Sequence, residues 1–267
     1  MNDSDMENES RESDGGADEH IVHCPETCEF EIGGDYDYLR SGLLETAGYF
    51  ALRMAAHFIL NIYNRCVFGL RVRGTENLWK TFGRGGAVVV SNHVHMLDCT
   101  FIDCILPHKR VYYSTLETNF RIPYARRLMR LLGAVPIPLE IHKKPRFTSE
   151  MRRALAGGCY VVMYPESVLD PYHEGLRRFH DSAFRLAASC GAMILPVTVI
   201  FRRPSGLFAI LKRRPCVTLN ILPPVDVGMD GTVRERADAM QFECRKLMES
   251  SVEGENTDDT NNITYML

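Results

Sequence analysis

The sequence predicts an α/β fold, a mostly parallel mixed sheet flanked by helices. Three observations point there. Short apolar runs alternate with helical patterns from residue 70 onward. The apolar run Ala87-Val88-Val89-Val90 reads as a buried strand. Glycines stand between helical patterns and the strands that follow, where a helix needs a left-handed stop.

Taken in order, "SGLLETAGYFALRMAAHFILNIYNRCVFGL" (41–70) is the longest helix candidate. Arg53, His57, Asn61, Asn64 and Arg65 recur every three or four residues and so share one face, opposite Phe, Leu, Met and Ile. This describes an interfacial helix and a core-packing one equally well. The charges interrupt any uniform apolar stretch, so a spanning helix is not expected. Strand candidates are 85–91, 110–116, 134–138, 159–164, 193–200 and 216–222. Helix candidates lie at 98–106, 120–132, 147–157, 178–190 and 232–250. Gly133 and Gly191 each end a helical pattern ahead of a strand.

Of 267 residues, 45% are hydrophobic and 24% charged, which suits one sizeable globular domain. The formal net charge of −3 hides an uneven distribution: residues 1–38 hold 13 of the 34 acidic residues and a single basic one, Arg11. Residues 39–251 carry 30 basic residues against 17 acidic, and 252–267 are acidic again. We expect acidic disordered tails over 1–38 and 252–267 around a basic domain at 39–251. Such a body suits an anionic partner: phosphorylated substrate, anionic lipid or nucleic acid. No aromatic–basic RNA-binding signature is present, so no nucleic-acid partner is expected. Nine scattered cysteines with no C-x-x-C pair and no signal peptide favour a reducing compartment. His20, His23, Cys24 and Cys28 lack a second ligand pair at finger spacing.

The chemistry concentrates in "SNHVHMLD" (91–98), directly after Ala87–Val90. His93, His95 and Asp98 suggest a metal site, but the histidine–aspartate spacing and Cys99 break the metallo-β-lactamase pattern, so no metal is expected. If His93 lies in the turn after the strand and Asp98 opens the next helix, the carboxylate can fix the imidazole tautomer and leave a general base. His95, three residues from Asp98, is the rival base. Asn92 and Asp98 are also ordinary helix caps.

Asn92-His93, four residues, Asp98 resembles the N-H-x4-D motif of the glycerolipid acyltransferases, the 1-acylglycerol-3-phosphate acyltransferase family. "LLGAVPIP" (131–138) is similar to the family's second block and "VVMYPES" (161–167) to its third, a strand ending in Pro-Glu-Gly. "LRRFHDSAFRLAASCGAMILPVTV" (176–199) looks like its downstream helix and Pro-containing strand, and the whole resemblance spans roughly 70–225. It implies a glycerolipid acyltransferase-like fold and acyl transfer from a thioester, acyl-CoA or acyl-carrier protein, to a lysophospholipid hydroxyl, with no further cofactor. His93 is then the base, Asp98 its orienting partner, and Glu166 part of the acceptor site. The family's second and third blocks carry arginines expected to hold the acceptor phosphate, and here Leu139 and "Glu166-Ser167-Val168-Leu169" replace them. Arg177 and Arg178 become the nearest phosphate candidates, with Lys143, Lys144 and Arg146 a second group. A non-catalytic lipid-binding relative is the alternative reading. "FRRPSGLFAILKRRP" (201–215) joins apolar residues to cations, as an interfacial loop requires. With the 41–70 helix and the basic body, it suggests a monotopic protein on the cytosolic face of a membrane.

Overall fold

The computed structural model describes residues 30–264 apart from 41, 82, 107 and 108. Helix α1 (Leu43–Val67) leads into β1 (Arg71–Arg73), α2 (Thr75–Trp79), β2 (Ala87–Ser91), α3 (Asp98–Asp103) and β3 (Val111–Leu116). Then come α4 (Pro123–Leu131), β4 (Ala134–Ile137), α5 (Lys144–Ala156), β5 (Tyr160–Met163), α6 (Ser182–Cys190), β6 (Met193–Arg202), α7 (Leu207–Leu211), β7 (Cys216–Ile221) and α8 (Val233–Thr264). The seven strands form one sheet in the order β1-β7-β6-β2-β5-β3-β4. Among these strands β6 and β7 pair antiparallel and the other pairings are parallel, and one further antiparallel bridge joins Ile194 to Val225. The sheet is therefore mixed and mostly parallel, with helices on both faces.

Strand β2 shows why the strands read as unbroken apolar runs. Val88 and Val90 face a core closed by α5, α6 and α8, with Met151, Phe184 and Met240 among its members. Ala87 and Val89 face the other core, with Phe101, Ile102 and Leu106 from the α3 region. Both faces are dry, so both alternating sets must be apolar. Gly133 (φ 100) and Gly191 (φ 63) take the left-handed conformations expected of them. A Cβ at Gly133 would come 2.3 Å from the Val111 carbonyl oxygen, so α4 can turn this tightly into β4 only through glycine.

Helix α1 docks the opposite way from a usual amphipathic helix. Its polar stripe faces the domain: Arg53 is 1% exposed, and its guanidinium donates to Asp103 Oδ1 at 2.9 Å, the Tyr49 hydroxyl at 2.6 Å and the carbonyls of Lys109 and Leu106. Asn64, also buried, donates to the Thr100 carbonyl at 3.2 Å. Met54, Phe58, Ile59 and Ile62 are left outside. Burying this stripe is permitted because each charge and amide meets a partner.

Two expected boundaries need correction. Residues 30–38 pack against the domain rather than joining an acidic disordered tail: Phe30 stacks on Phe120 and Ile32 N–H donates to Glu117 Oε1 at 3.0 Å. Residues 1–29 of that tail lie outside the described residues. At the other end α8 runs on to Thr264, through most of the segment expected to be disordered, with Val252 still buried. A helix whose first turns are packed adds each later residue at low cost, which composition alone does not reveal.

Candidate active site

The turn after β2 is built by Asn92. The β2 backbone pairs with β6 as far as Ser91 opposite Val197. There the main chain leaves the sheet, and the Asn92 amide takes its place: Nδ2 donates to the Val199 carbonyl at 2.9 Å and Oδ1 accepts from Val199 N–H at 2.8 Å. The side chain thus supplies two further rungs of the ladder while residues 93–97 turn outward. Carboxyl ends of strands in open α/β sheets are where ligands bind.

Asp98, fully buried, opens α3 and points back into that turn. Its Oδ2 accepts from His93 Nδ1 at 3.0 Å, from Val94 N–H at 2.9 Å and from His95 N–H at 3.0 Å. One carboxylate oxygen therefore shapes the turn and selects the His93 tautomer protonated on Nδ1, leaving the Nε2 lone pair available. The His93 side chain is 25% exposed against 0% for Asp98, so the pair is open on the histidine side only. The Asp98 Oδ1 atom is buried without a hydrogen-bond partner among the described residues.

His95, the rival base, is placed differently. Its Nδ1 accepts from Leu97 N–H at 3.1 Å, and its ring packs against Phe68, Phe101 and Tyr172. Burial pushes its pKa down. Asp98 touches His95 through the backbone alone.

The segment after β5 closes the turn from the other side. Glu166 is 4% exposed, and both its carboxylate oxygens are occupied by backbone: Oε2 accepts from His93 N–H and Oε1 from Arg177 N–H, each at 3.1 Å. Burial raises its pKa, opposed by those two hydrogen bonds. The geometry makes Glu166 a clamp on the His93 backbone. Asp170 N–H and Tyr172 N–H donate to the carbonyls of His93 and Val94, completing the wrap. Ser167, where the family pattern has glycine, sits at φ 61. Ser167→Gly should raise stability by about 1 kcal/mol, since a left-handed serine costs more than glycine. A thermal melt checks this, and a lowered midpoint would show that the hydroxyl matters more than the backbone.

Tyr164 was not singled out by sequence reasoning, yet its ring stacks on His93 with centroids 4.4 Å apart. Its hydroxyl is buried with no hydrogen-bond partner among the described residues, and desolvation drives its pKa well up. The available signal was its place immediately before Pro165-Glu166 at the end of β5.

Arg177 is drawn into the site by its backbone: N–H to Glu166, and carbonyl to Arg245 Nη1 at 2.8 Å. Its guanidinium is half-buried and ion-pairs with no carboxylate among the described residues; Arg178 is exposed. Lys143 and Lys144 are not brought to His93. They follow β4, the edge strand three places from β2, and Lys143 is held by Glu31 at 2.8 Å and by Glu140. Arg146 donates to the Tyr36 carbonyl at 3.1 Å on the same flank.

The solved structure of PlsC, the 1-acyl-sn-glycerophosphate (LPA) acyltransferase of Thermotoga maritima, resembles this chain with a TM-score of 0.52 and 19% sequence identity, covering 78% of this chain and 88% of that one. At that identity the likeness shows a shared fold. The model of the Acyltransferase family matches residues 69–200, which run from just before β1 into β6 and contain the His93–Asp98 pair, Tyr164 and Glu166. Over that span the chain is an acyltransferase domain.

Proposed function

We propose that the chain moves a fatty acyl group from an acyl thioester to the hydroxyl of a lysophospholipid, with 1-acylglycerol-3-phosphate the leading acceptor. The observation that carries this is the 3.0 Å contact between His93 Nδ1 and a fully buried Asp98 at the carboxyl end of β2. His93 Nε2 takes the acceptor hydroxyl proton as the oxygen attacks the thioester carbonyl. Asp98 stabilises the imidazolium that forms. Collapse of the tetrahedral adduct breaks the carbon–sulfur bond, and the imidazolium returns the proton to the departing thiolate. No acyl-enzyme is needed. Tyr164 stacked on the ring and Glu166 on the backbone hold the imidazole in place.

A panel of lysolipid acceptors, offered with acyl-CoA and with acyl-carrier protein to the purified protein in detergent micelles, tests the reading. Transfer to a lysophospholipid supports it. Lipid binding with no transfer to any acceptor would instead favour the non-catalytic relative, which the missing arginines of the second and third blocks suggest.

We also propose that the protein works at a membrane surface. Among the described residues no helix is long and apolar enough to cross a bilayer. The outward face of α1 and the short α7 nevertheless expose large apolar side chains, Phe58 at 67% and Ile210 at 84%. Lys212, just past α7, stands over both Phe68, just past α1, and Phe208. Exposed apolar residues rimmed by cations suit the headgroup boundary of an anionic bilayer. Joint replacement Phe58→Asp and Ile210→Asp should lower partition onto anionic vesicles at least about tenfold in a sedimentation assay. Unchanged sedimentation would exclude these two helices as the contact.

A further inference from the structure

The arginines that the family pattern gives to the acceptor phosphate are absent here, at Leu139 and across Glu166–Leu169. Arg177 is one cation beside the site, and a further source of cations lies outside the 69–200 match. The connection between β6 and β7 carries Arg203, Lys212, Arg213 and Arg214. It borders the His95 side of the catalytic turn. Lys212 Nζ lies 5.8 Å from the centroid of the Phe68 ring, whose edge meets His95 at 5.0 Å. Phe201, near the end of β6, packs 5.0 Å from Tyr172, which in turn meets His95 at 5.9 Å. The positive charge of Arg214 reaches the His95 ring and opposes its protonation, while Asp98 favours it. Arg214 is exposed and ion-pairs with no carboxylate among the described residues.

We propose that Lys212 and Arg214 hold the phosphate of the acceptor lipid, the role left open by the missing arginines. The assignment rests on the acyl-transfer reading above. Phosphate also occurs on a CoA donor and on bilayer headgroups, and chemistry favours the acceptor. A lysophosphatidate bears its phosphate on the carbon next to the hydroxyl it offers, so that phosphate must lie near His93. The phosphates of a CoA thioester stand beyond a long pantetheine arm. A guanidinium and an ammonium near the catalytic turn match the nearer group.

The test is steady-state kinetics of the full chain in neutral detergent micelles, with acyl-CoA as donor and lysophosphatidate as acceptor. Lys212→Gln with Arg214→Gln should raise KM for the acceptor at least about tenfold, the loss expected when charge-assisted hydrogen bonds are removed. KM for acyl-CoA should stay within about twofold, as should the acceptor KM of Arg213→Gln, the neighbouring cation. Lys212→Arg with Arg214→Lys should recover most of the loss. A rise in the acyl-CoA KM with an unmoved acceptor KM would assign the pair to the donor and overturn the proposal. An equal rise in Arg213→Gln would reduce it to a diffuse field, also overturning it. Normal kinetics in micelles with weaker binding to anionic vesicles would make the pair a membrane contact only. No transfer by the wild-type chain to any acceptor would instead remove the acyl-transfer reading, and this assignment with it.

Discussion

Asp98→Asn is expected to lower kcat/KM for acyl transfer by about three orders of magnitude while leaving the fold intact. The loss comes from the tautomer. Asp98 Oδ2 accepts three N–H groups, one of them His93 Nδ1–H. An amide at this position either keeps its oxygen toward the two backbone N–H groups or turns its NH2 toward them. In the second orientation the imidazole loses its acceptor and Nε2 ceases to be the free base. In the first, His93 keeps its orientation but loses the negative charge that stabilises the imidazolium. His93→Ala should fall at least as far, and the double variant no further, because the two residues act as one unit. His95→Ala should cost far less, since its ring lies in an aromatic cluster and its Nδ1 serves Leu97 N–H. Near-full activity in His93→Ala with loss in His95→Ala would reverse the assignment.

The largest effect on stability is expected at Arg53. Removing it by Arg53→Ala leaves Asp103 buried beside the Tyr113 hydroxyl and His57, with its principal cation gone. Breaking a buried pair in this way costs about 3–5 kcal/mol, which for a domain of this size lowers the thermal midpoint by roughly ten degrees. The cost exceeds that of a lost surface bridge because the carboxylate cannot be rehydrated without opening the α1–α3 contact. Arg53→Met with Asp103→Asn should lose less than the two single changes added together, since it removes both charges. A single-variant loss below about 1 kcal/mol would show that the pair is solvated in the native ensemble and does not hold α1.

What the sequence disclosed follows from how local each signal is. Strands buried on both faces read directly as Ala87–Val90 or Tyr160–Met163, because nothing polar interrupts them. Strand β1 escaped, since Arg71-Val72-Arg73 is short and carries two cations. The stripe on α1 was visible, but a period gives a face and not its neighbour. Only the fold puts Asp103, fifty residues on, against Arg53. The same limit applies in the site. His93 and Asp98 share one turn and could be paired on paper. Glu166 meets the His93 N–H across 73 residues of chain, so its work on the backbone is invisible to any local reading of the sequence. Tyr164 was hidden for the same reason. Asn92 belongs to the motif and could also serve as a helix cap, but that its amide bonds Val199 in β6 shows only in the fold.

That Asn92 amide also separates two clocks. Val199 N–H is bonded to a side chain, yet it sits within the ladder between β2 and β6, and its exchange with solvent should be as slow as that of the surrounding sheet. The very next amide after Asn92, that of His93, is held by Glu166 from the segment behind β5, and it can exchange whenever that segment lifts. Deuterium uptake at these two positions would time the opening of the sheet and the opening of the His93 turn independently.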